Sequence, residues 1–478
     1  VETLTRTLHR LTSYSSDRDW DEPVDDPSIV RDLVTNDIER FPWFTKRYPG
    51  QDLPRIALPR NLPTTTAPAV AVLAGTAGVP PTAMDLAQLG RILHLSAGVV
   101  RTTERPYATW LFRAAGSAGG RFPLEVYLAV PERGDLPAGV HWYDPVEHAL
   151  LQVGPPPSGE APAIIVTGVP WRTGWRYAER GFRHVYWDAG TMVSQLLAAA
   201  ASAGVPASLR TRFPDAQVTD LVGADAIHEW PVAVVSLGDG PPPVKPAAPA
   251  TRGEIDTAPV GFPLVTAAQH AGDLEVLGDR WLDGSPVALD DPPVEPVEVV
   301  IATRGSIRRL DPAGRLPRST LMTSMAVAMR GVAFPHRVVV HAVDGLEPGV
   351  YRWPDMDQPA VPGAMREELY RVCLEQDLGR DAAFVVIGCA DVASLDDRTY
   401  REANLAAGLV EGRLHLLATA LGAAASGMTF LDSEIAGLLD EPLDAMLFTC
   451  VGVPEYRSAV AGPPGAPTRV RSVRPRTS

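Results

Sequence analysis

Arginine, serine and arginine at alternate positions form the most chemically suggestive pattern in this chain. In RGSIRRLDP (304–312), Arg304, Ser306 and Arg308 project from one face if the segment is extended. Two guanidinium forks flanking a hydroxyl make a receptor for a phosphate dianion. A solvated basic loop would carry the same residues without a ligand. A second stretch, RAAGSAGGRFPLE (113–125), gathers Ser117, Gly119 and Gly120 just ahead of a strand that starts at Leu124. Such a loop lets backbone N–H groups come close to a flat, polar ligand; taken alone, it also reads as a plain surface loop.

The third stretch, GWRYAERGFRHVYWDAG, sets Arg176, Tyr177, Arg180 and Arg183 at the start of a long helix. Cationic neighbours are expected to lower the Tyr177 pKa and make it a proton carrier. An exposed, ion-paired first helical turn explains the same residues. Trp171 and Trp175 fit either a pocket wall or the core. In GAAASGMTFLDSE (422–434), Gly427, Met428 and Thr429 would offer backbone donors to a ring edge, or simply end a helix. The basic tail TRVRSVRPRTS reads as a disordered end whose Arg469 or Arg471 has the reach to fold back onto a phosphate.

These stretches sit in a duplicated order of elements. GDGPPPVKPAAPATRGEIDTAPVGFP (238–263) cannot form a helix or a central strand and reads as a linker. On either side come an amphipathic helix (84–98 and 318–331), a strand with a turn (137–144 and 347–353) and an apolar strand (162–169 and 381–390). A long helix (177–204 and 400–422) and a closing apolar strand (231–238 and 445–452) follow. In both long helices an Ala-Gly pair, ending in Gly190 or Gly408, precedes a terminal glycine, Gly204 or Gly422. The copies are unequal: only the first has the glycine-rich insertion. Only the second has the paired arginines, against RNLPTTTAPA (60–69) in the first. Mixed helices and strands, doubled, imply an α+β fold with an internal pseudo-dimer.

The chain has 478 residues, 45% of them hydrophobic and 21% charged, as in a soluble globular protein large enough for two core-forming units. A formal charge of −14 argues against nucleic acid as the main partner. No apolar run is long enough for a membrane span and the N-terminus has no signal-type apolar region, so a cytoplasmic address is expected. Cys373, Cys389 and Cys450 are far apart and read as buried small hydrophobes. The ten histidines are scattered, so no metal site is expected.

Taken together, the motifs resemble the nitroreductase superfamily, specifically the thiazole/oxazole-forming (azoline) flavin dehydrogenases of ribosomal peptide biosynthesis, in a tandem fused form. RGSIRRLDP looks like the family segment that holds the FMN phosphate and ribityl chain, which carries that role to Arg304, Ser306 and Arg308. RAAGSAGGRFPLEVYL is similar to the family loop that places Ser117, Gly119 and Gly120 beside the flavin. The GMT stretch, Gly427 to Thr429, falls where the family meets the isoalloxazine edge. The resemblance implies two nitroreductase-like domains, at 61–238 and 296–462, each a mainly antiparallel sheet flanked by helices. An N-terminal arm (1–60), a Pro-rich linker and arm (239–295) and a basic tail (463–478) would surround them. It also implies one FMN site shared across a fused two-fold interface, the other abandoned, with HRLTSY and FPWFTKRYPG helping to hold substrate.

By the same resemblance the activity is oxidation of thiazolines or oxazolines in a modified precursor peptide, with molecular oxygen as final acceptor and a cyclodehydratase complex as partner. The family's Lys-Tyr pair is Arg176-Tyr177 here, and Gly305 stands where an arginine is usual. Arginine cannot cycle a proton, so the proton work falls to Tyr177 or the substrate differs. Two rivals stand beside this reading. One is an NAD(P)H-dependent nitro, quinone or ene reductase; the other is a non-catalytic peptide-binding scaffold subunit.

Overall fold

The segments LEVYLAV (124–130) and FVVIGCA (384–390) lack polar alternation, so each must be covered on both faces. In the computed structural model both are central strands with every residue buried. The structure describes residues 2–17, 24–132 and 134–471. Helix α1 (Leu4–Thr12) leads into an arm with one short strand, β1 (Arg55–Ala57). The first half runs α2 (Ala69–Ala74), α3 (Leu86–Ala97), β2 (Val99–Arg105), β3 (Ala108–Arg113), β4 (Leu124–Val130), β5 (Gly139–Asp144) and β6 (Ala149–Gly154). It continues with β7 (Ala163–Gly168), α4 (Pro170–Tyr177), α5 (Gly181–Ser202), β8 (Ala207–Arg210), α6 (Asp215–Val222) and β9 (Trp230–Leu237).

The linker 238–262 forms neither helix nor strand, as its prolines require, and α7 (Pro263–Ala271) follows it. The second half runs α8 (Val297–Thr303), α9 (Arg318–Ala328), β10 (His336–Val340), β11 (Gly349–Arg352), β12 (Val361–Pro362), α10 (Arg366–Val372) and α11 (Asp377–Asp381). It ends with β13 (Phe384–Ala390), α12 (Asp397–Ala420), β14 (Ala424–Met428), α13 (Ile435–Leu439) and β15 (Asp444–Gly452), and β16 (Thr468–Arg469) closes the series.

Two sheets repeat one topology. The first has strand order β1-β6-β5-β4-β7-β9-β8, the second β12-β11-β10-β13-β15-β14. Every ladder within both is antiparallel. The fold is therefore α+β, and one hydrophobic core runs through both halves. Helices α5 and α12 cross at its centre, where their glycines coincide. A Cβ on Gly190 would lie 2.2 Å from the Leu405 carbonyl, and one on Gly408 would lie 2.2 Å from that of Trp187. Only glycine allows so close an approach of the two backbones.

Around this crossing each half grips the other with a buried ion pair. Arg180 and Arg183, at the start of α5, each place a nitrogen 2.6 Å from Asp432 of the second half. At the same helical positions, Arg398 and Arg401 of α12 reach Asp215 of the first half at 2.7 and 3.1 Å. Burial alone would raise the Asp432 carboxyl, but the two arginines outweigh it and hold it below the usual carboxylate range.

Three expectations need correction. The predicted helix 177–204 is broken: α4 ends at Tyr177, Ala178 takes φ +47°, and α5 starts at Gly181. The GMT segment does not end a helix, because Gly427 and Met428 belong to β14 and pair with β15. The counterpart of RGSIRR is not 60–69. Pro68 and Pro296 pair with each other at the starts of α2 and α8, so the matching stretch follows α2 at 75–80. That stretch, GTAGVP, has no arginine.

Candidate functional site

Eleven of the residues singled out in the sequence line one cavity of about 1000 Å³: Arg176 and Tyr177; Arg304, Ser306 and Arg308; Ser117, Gly119 and Gly120; and Gly427, Met428 and Thr429. Its walls come from both halves. RGSIRR leaves the C-terminus of α8 as an irregular segment, not the strand expected, and Arg304 caps that helix. Its side chain is buried, and Nη2 donates to the Ala114 carbonyl at 2.8 Å, across to the glycine-rich loop. Its Nε and Nη1 are buried without a partner among the described residues. Burial, with Arg101 nearby, brings its pKa down to about 10. A Cβ on Gly116 would lie 3.5 Å from Ser306 Oγ and 3.6 Å from Arg304 Nη1, so both side chains face the loop. Arg308 donates to Gln376 Oε1 at 3.2 Å.

The loop owes its shape to a carboxylate that the sequence reading missed. Asp188 of α5 accepts from the Ser117 hydroxyl and from the Ala118 N–H at 3.0 Å, and Ser117 Oγ in turn accepts from the Phe122 N–H at 2.8 Å. Gly119 and Gly120 then turn at φ +60° and +64°, conformations that favour glycine. Burial pushes the Asp188 carboxyl well above its ordinary range, with Glu411 adding to the effect. Glu411 of α12 accepts from Thr191 Oγ1 at 3.1 Å and sits beside Gly427, where an added Cβ would be 2.3 Å from its Oε1. A carboxylate on a helix reads as part of a solvated face, so neither residue stood out. Their signal was position, each two or three residues from the glycine at the helix crossing, Gly190 or Gly408.

Tyr177 stacks on His184, with centroids 4.0 Å apart, and its hydroxyl lies 2.7 Å from where a Cβ on Gly119 would be. The expected lowering of its pKa is overturned: burial raises it, outweighing the charge of Arg176. Arg180 and Arg183 are not at the cavity, since Asp432 and the Thr12 and His9 carbonyls take them. Trp171 belongs to the core, and Trp175 packs on Arg121 and Phe41. Thr429 Oγ1 is buried without a partner among the described residues. The arm contributes Tyr14 and Asn36 to the cavity wall.

The counterpart of this cavity in the other half is closed. Glu402 stands at the helical position of His184, and Arg212 pairs with it at 2.8 Å beside Thr211. The void left there is about 10 Å³.

Residues 81–239 match the Nitroreductase family. The matched range takes in the glycine-rich loop, Tyr177 and Asp188. "Putative nitroreductase MJ1384" of Methanocaldococcus jannaschii is 26% identical over 170 residues, which are 32% of this chain and 81% of that protein. A crystal structure described as a putative nitroreductase from Anabaena variabilis superposes with a TM-score of 0.73 at 22% identity. It covers 95% of this chain and all of that one. That likeness is one of fold, and its coverage takes in both sheets.

The tail also differs from expectation. Within its described part, β16 pairs in parallel with β2, and Arg469 and Arg471 line the cavity mouth. Cys373, Cys389 and Cys450 are buried and free. No helix among the described residues is long and apolar enough to cross a membrane.

Proposed function

We propose that this chain is an FMN-dependent oxidoreductase with a single flavin site built across its two halves. The observation that carries the reading is the convergence of Arg304, Ser306 and Arg308 from one half with the 116–120 loop of the other on one large cavity. The residues fit the cofactor. A buried guanidinium with unpartnered nitrogens costs stability until an anion meets it; Arg304 has two, Nε and Nη1, and Nη1 faces the loop. The volume is at the upper end for cofactor clefts.

In this reading Arg304, Ser306 and Arg308 hold the phosphate and ribityl end, while residues 117–120 and 427–429 border the ring. FMN, when bound, supplies two-electron redox chemistry; the protein supplies position and charge. Tyr177, kept protonated by burial, holds a proton at its phenolic oxygen beside Gly119. Arg176 adds a fixed positive charge, and Trp110 and Phe112 exclude water from one wall.

The finer reading is oxidation of thiazoline or oxazoline rings in a ribosomally made peptide, delivered by a cyclodehydratase complex. It rests on the family resemblance together with the place of Tyr177 in the cavity. Aerobic incubation of the holoprotein with a thiazoline-containing peptide tests it: the product should be lighter by two hydrogens. A second reading, NAD(P)H-dependent reduction of nitro groups, quinones or activated alkenes, is favoured by arginine standing where a proton-cycling lysine is usual. Rapid anaerobic bleaching by NADPH together with an unchanged peptide would select it. The scaffold reading is disfavoured, because a non-catalytic subunit gains nothing evident from keeping both parts of one pocket.

A further inference from the structure

Nine arginines and no lysine line the cavity, and among the described residues its wall has only two carboxylates, Asp188 and Glu411. Both carboxylates are nearly buried and spent on neighbours. The arginines fall into three groups. Arg101 and Arg113 are structural, donating to backbone carbonyls of Ala302, Ala459, Ala97 and Phe44 at 2.7–3.0 Å. Arg304 and Arg308 are the deep pair assigned above to the phosphate. Arg105, Arg176, Arg457, Arg469 and Arg471 remain, all exposed and all at the mouth.

This rim is assembled from separate parts of the chain: the tip of β2, the end of α4, the 456–459 segment and β16. Arg105 lies over the Trp110 ring at 5.8 Å, and Arg469 has Glu104 at 3.7 Å. Among the described residues, Arg176, Arg457 and Arg471 pair with no carboxylate. In a chain with a formal charge of −14, such a cluster runs against the overall sign. One cofactor phosphate accounts for the deep pair and leaves Arg176, Arg457 and Arg471 without a carboxylate partner among the described residues. Cations around a cleft with apolar walls focus the field and concentrate anions. Trp110 and Phe112, with centroids 6.2 Å apart, add aromatic faces to the same wall.

We propose that the second ligand of this cavity is an anion, its apolar or planar body on Trp110 and Phe112 and its carboxylate or phosphate held at the rim by Arg457, Arg469 and Arg471. The proposal rests on the flavin reading, because the deep pair must already be satisfied. The anion has two sources, a carboxylate on the substrate or the phosphates of a pyridine nucleotide.

The test titrates the holoprotein with 4-nitrobenzoate and its neutral isostere 4-nitrobenzamide, read by the change in flavin absorbance. NADPH is titrated in parallel, and everything is repeated in R457E/R469E/R471E. The wild type should bind the benzoate about tenfold or more tightly than the benzamide at low ionic strength. That preference should shrink in high salt and vanish in the variant. Loss of the benzoate preference alone assigns the rim to substrate; loss of NADPH affinity alone assigns it to the nucleotide. Equal affinities in the wild type with NADPH binding untouched by charge reversal overturn the proposal. So does loss of flavin from the variant, which would put the rim on the cofactor. A colourless wild type contradicts the flavin reading separately, and equilibrium dialysis of the same pair of probes then decides the charge preference.

Discussion

Arg304 of the second half donates from Nη2 to the Ala114 carbonyl of the first at 2.8 Å. That hydrogen bond ties the arginine-rich segment to the glycine-rich loop, so neither half can form the cavity without the other. Their separation in sequence hides a direct contact. The two nitrogens left over on Arg304 are the polar groups in the cavity that most need an anionic ligand.

Replacing Arg304 with lysine removes the fork and leaves a point charge. Charged hydrogen bonds of this kind are worth about 1.5–3 kcal/mol each, so FMN affinity should fall by about 10- to 100-fold. Flavin fluorescence on ultrafiltration reads this directly. S306A should weaken binding less, since its hydroxyl is neutral.

Tyr177→Phe keeps the ring stacked on His184 and removes only the hydroxyl. Flavin content should be unchanged while turnover of the thiazoline peptide falls by about 100-fold or more, the range for losing a positioned proton donor or acceptor. Because burial raises this phenol, its alkaline limb in the wild-type pH profile should lie above the ordinary tyrosine value of about 10. A limb near neutrality would assign the proton to another group.

The two ion-pair clamps should be comparably important for stability and unequal for the site. D432A and D215A each strand a pair of buried arginines, a change that typically costs about 3–5 kcal/mol in urea unfolding. Only Asp432 also accepts from the Tyr14 N–H, at 2.8 Å, and Tyr14 lines the cavity. D432A should therefore loosen flavin binding as well, and D215A should not.

His94, His148, His336 and His341 are each lowered by burial to about 4. Above the unfolded value of about 6.5 they are neutral in both states and contribute nothing to pH dependence. Below it the unfolded chain binds protons that the folded chain refuses. Stability should fall from about pH 6.5 towards 4, by up to about 1.4 kcal/mol per pH unit for each histidine. His9, His141, His184 and His415, also lowered by burial, add to this slope, while Asp188, Glu179 and Asp273, raised by burial, pull the other way. Urea midpoints at stepped pH values check the sign.

Much of this was legible in the chain because it depends on local chemistry. Arginines with a serine between them and a run of glycines keep their character wherever the backbone goes. The duplicated strands and long helices were read in register because both copies keep their apolar pattern. What escaped depends on packing. The rise in the Tyr177 pKa comes from burial, which is a tertiary property, and Arg180 and Arg183 found a carboxylate remote in sequence. The counterpart of RGSIRR was misplaced because α2 and α8 are so short. The cue was there in PAVAV after Ala67 and PVEVV after Glu295, a proline at each helix start followed by the same apolar spacing.

The central claim is one flavin site per chain, open in one place and closed in its counterpart. Purified protein can be denatured, the released cofactor identified by mass, and its amount set against the protein concentration. The account predicts FMN at one molecule per chain, and two per chain, none, or a different cofactor would contradict it.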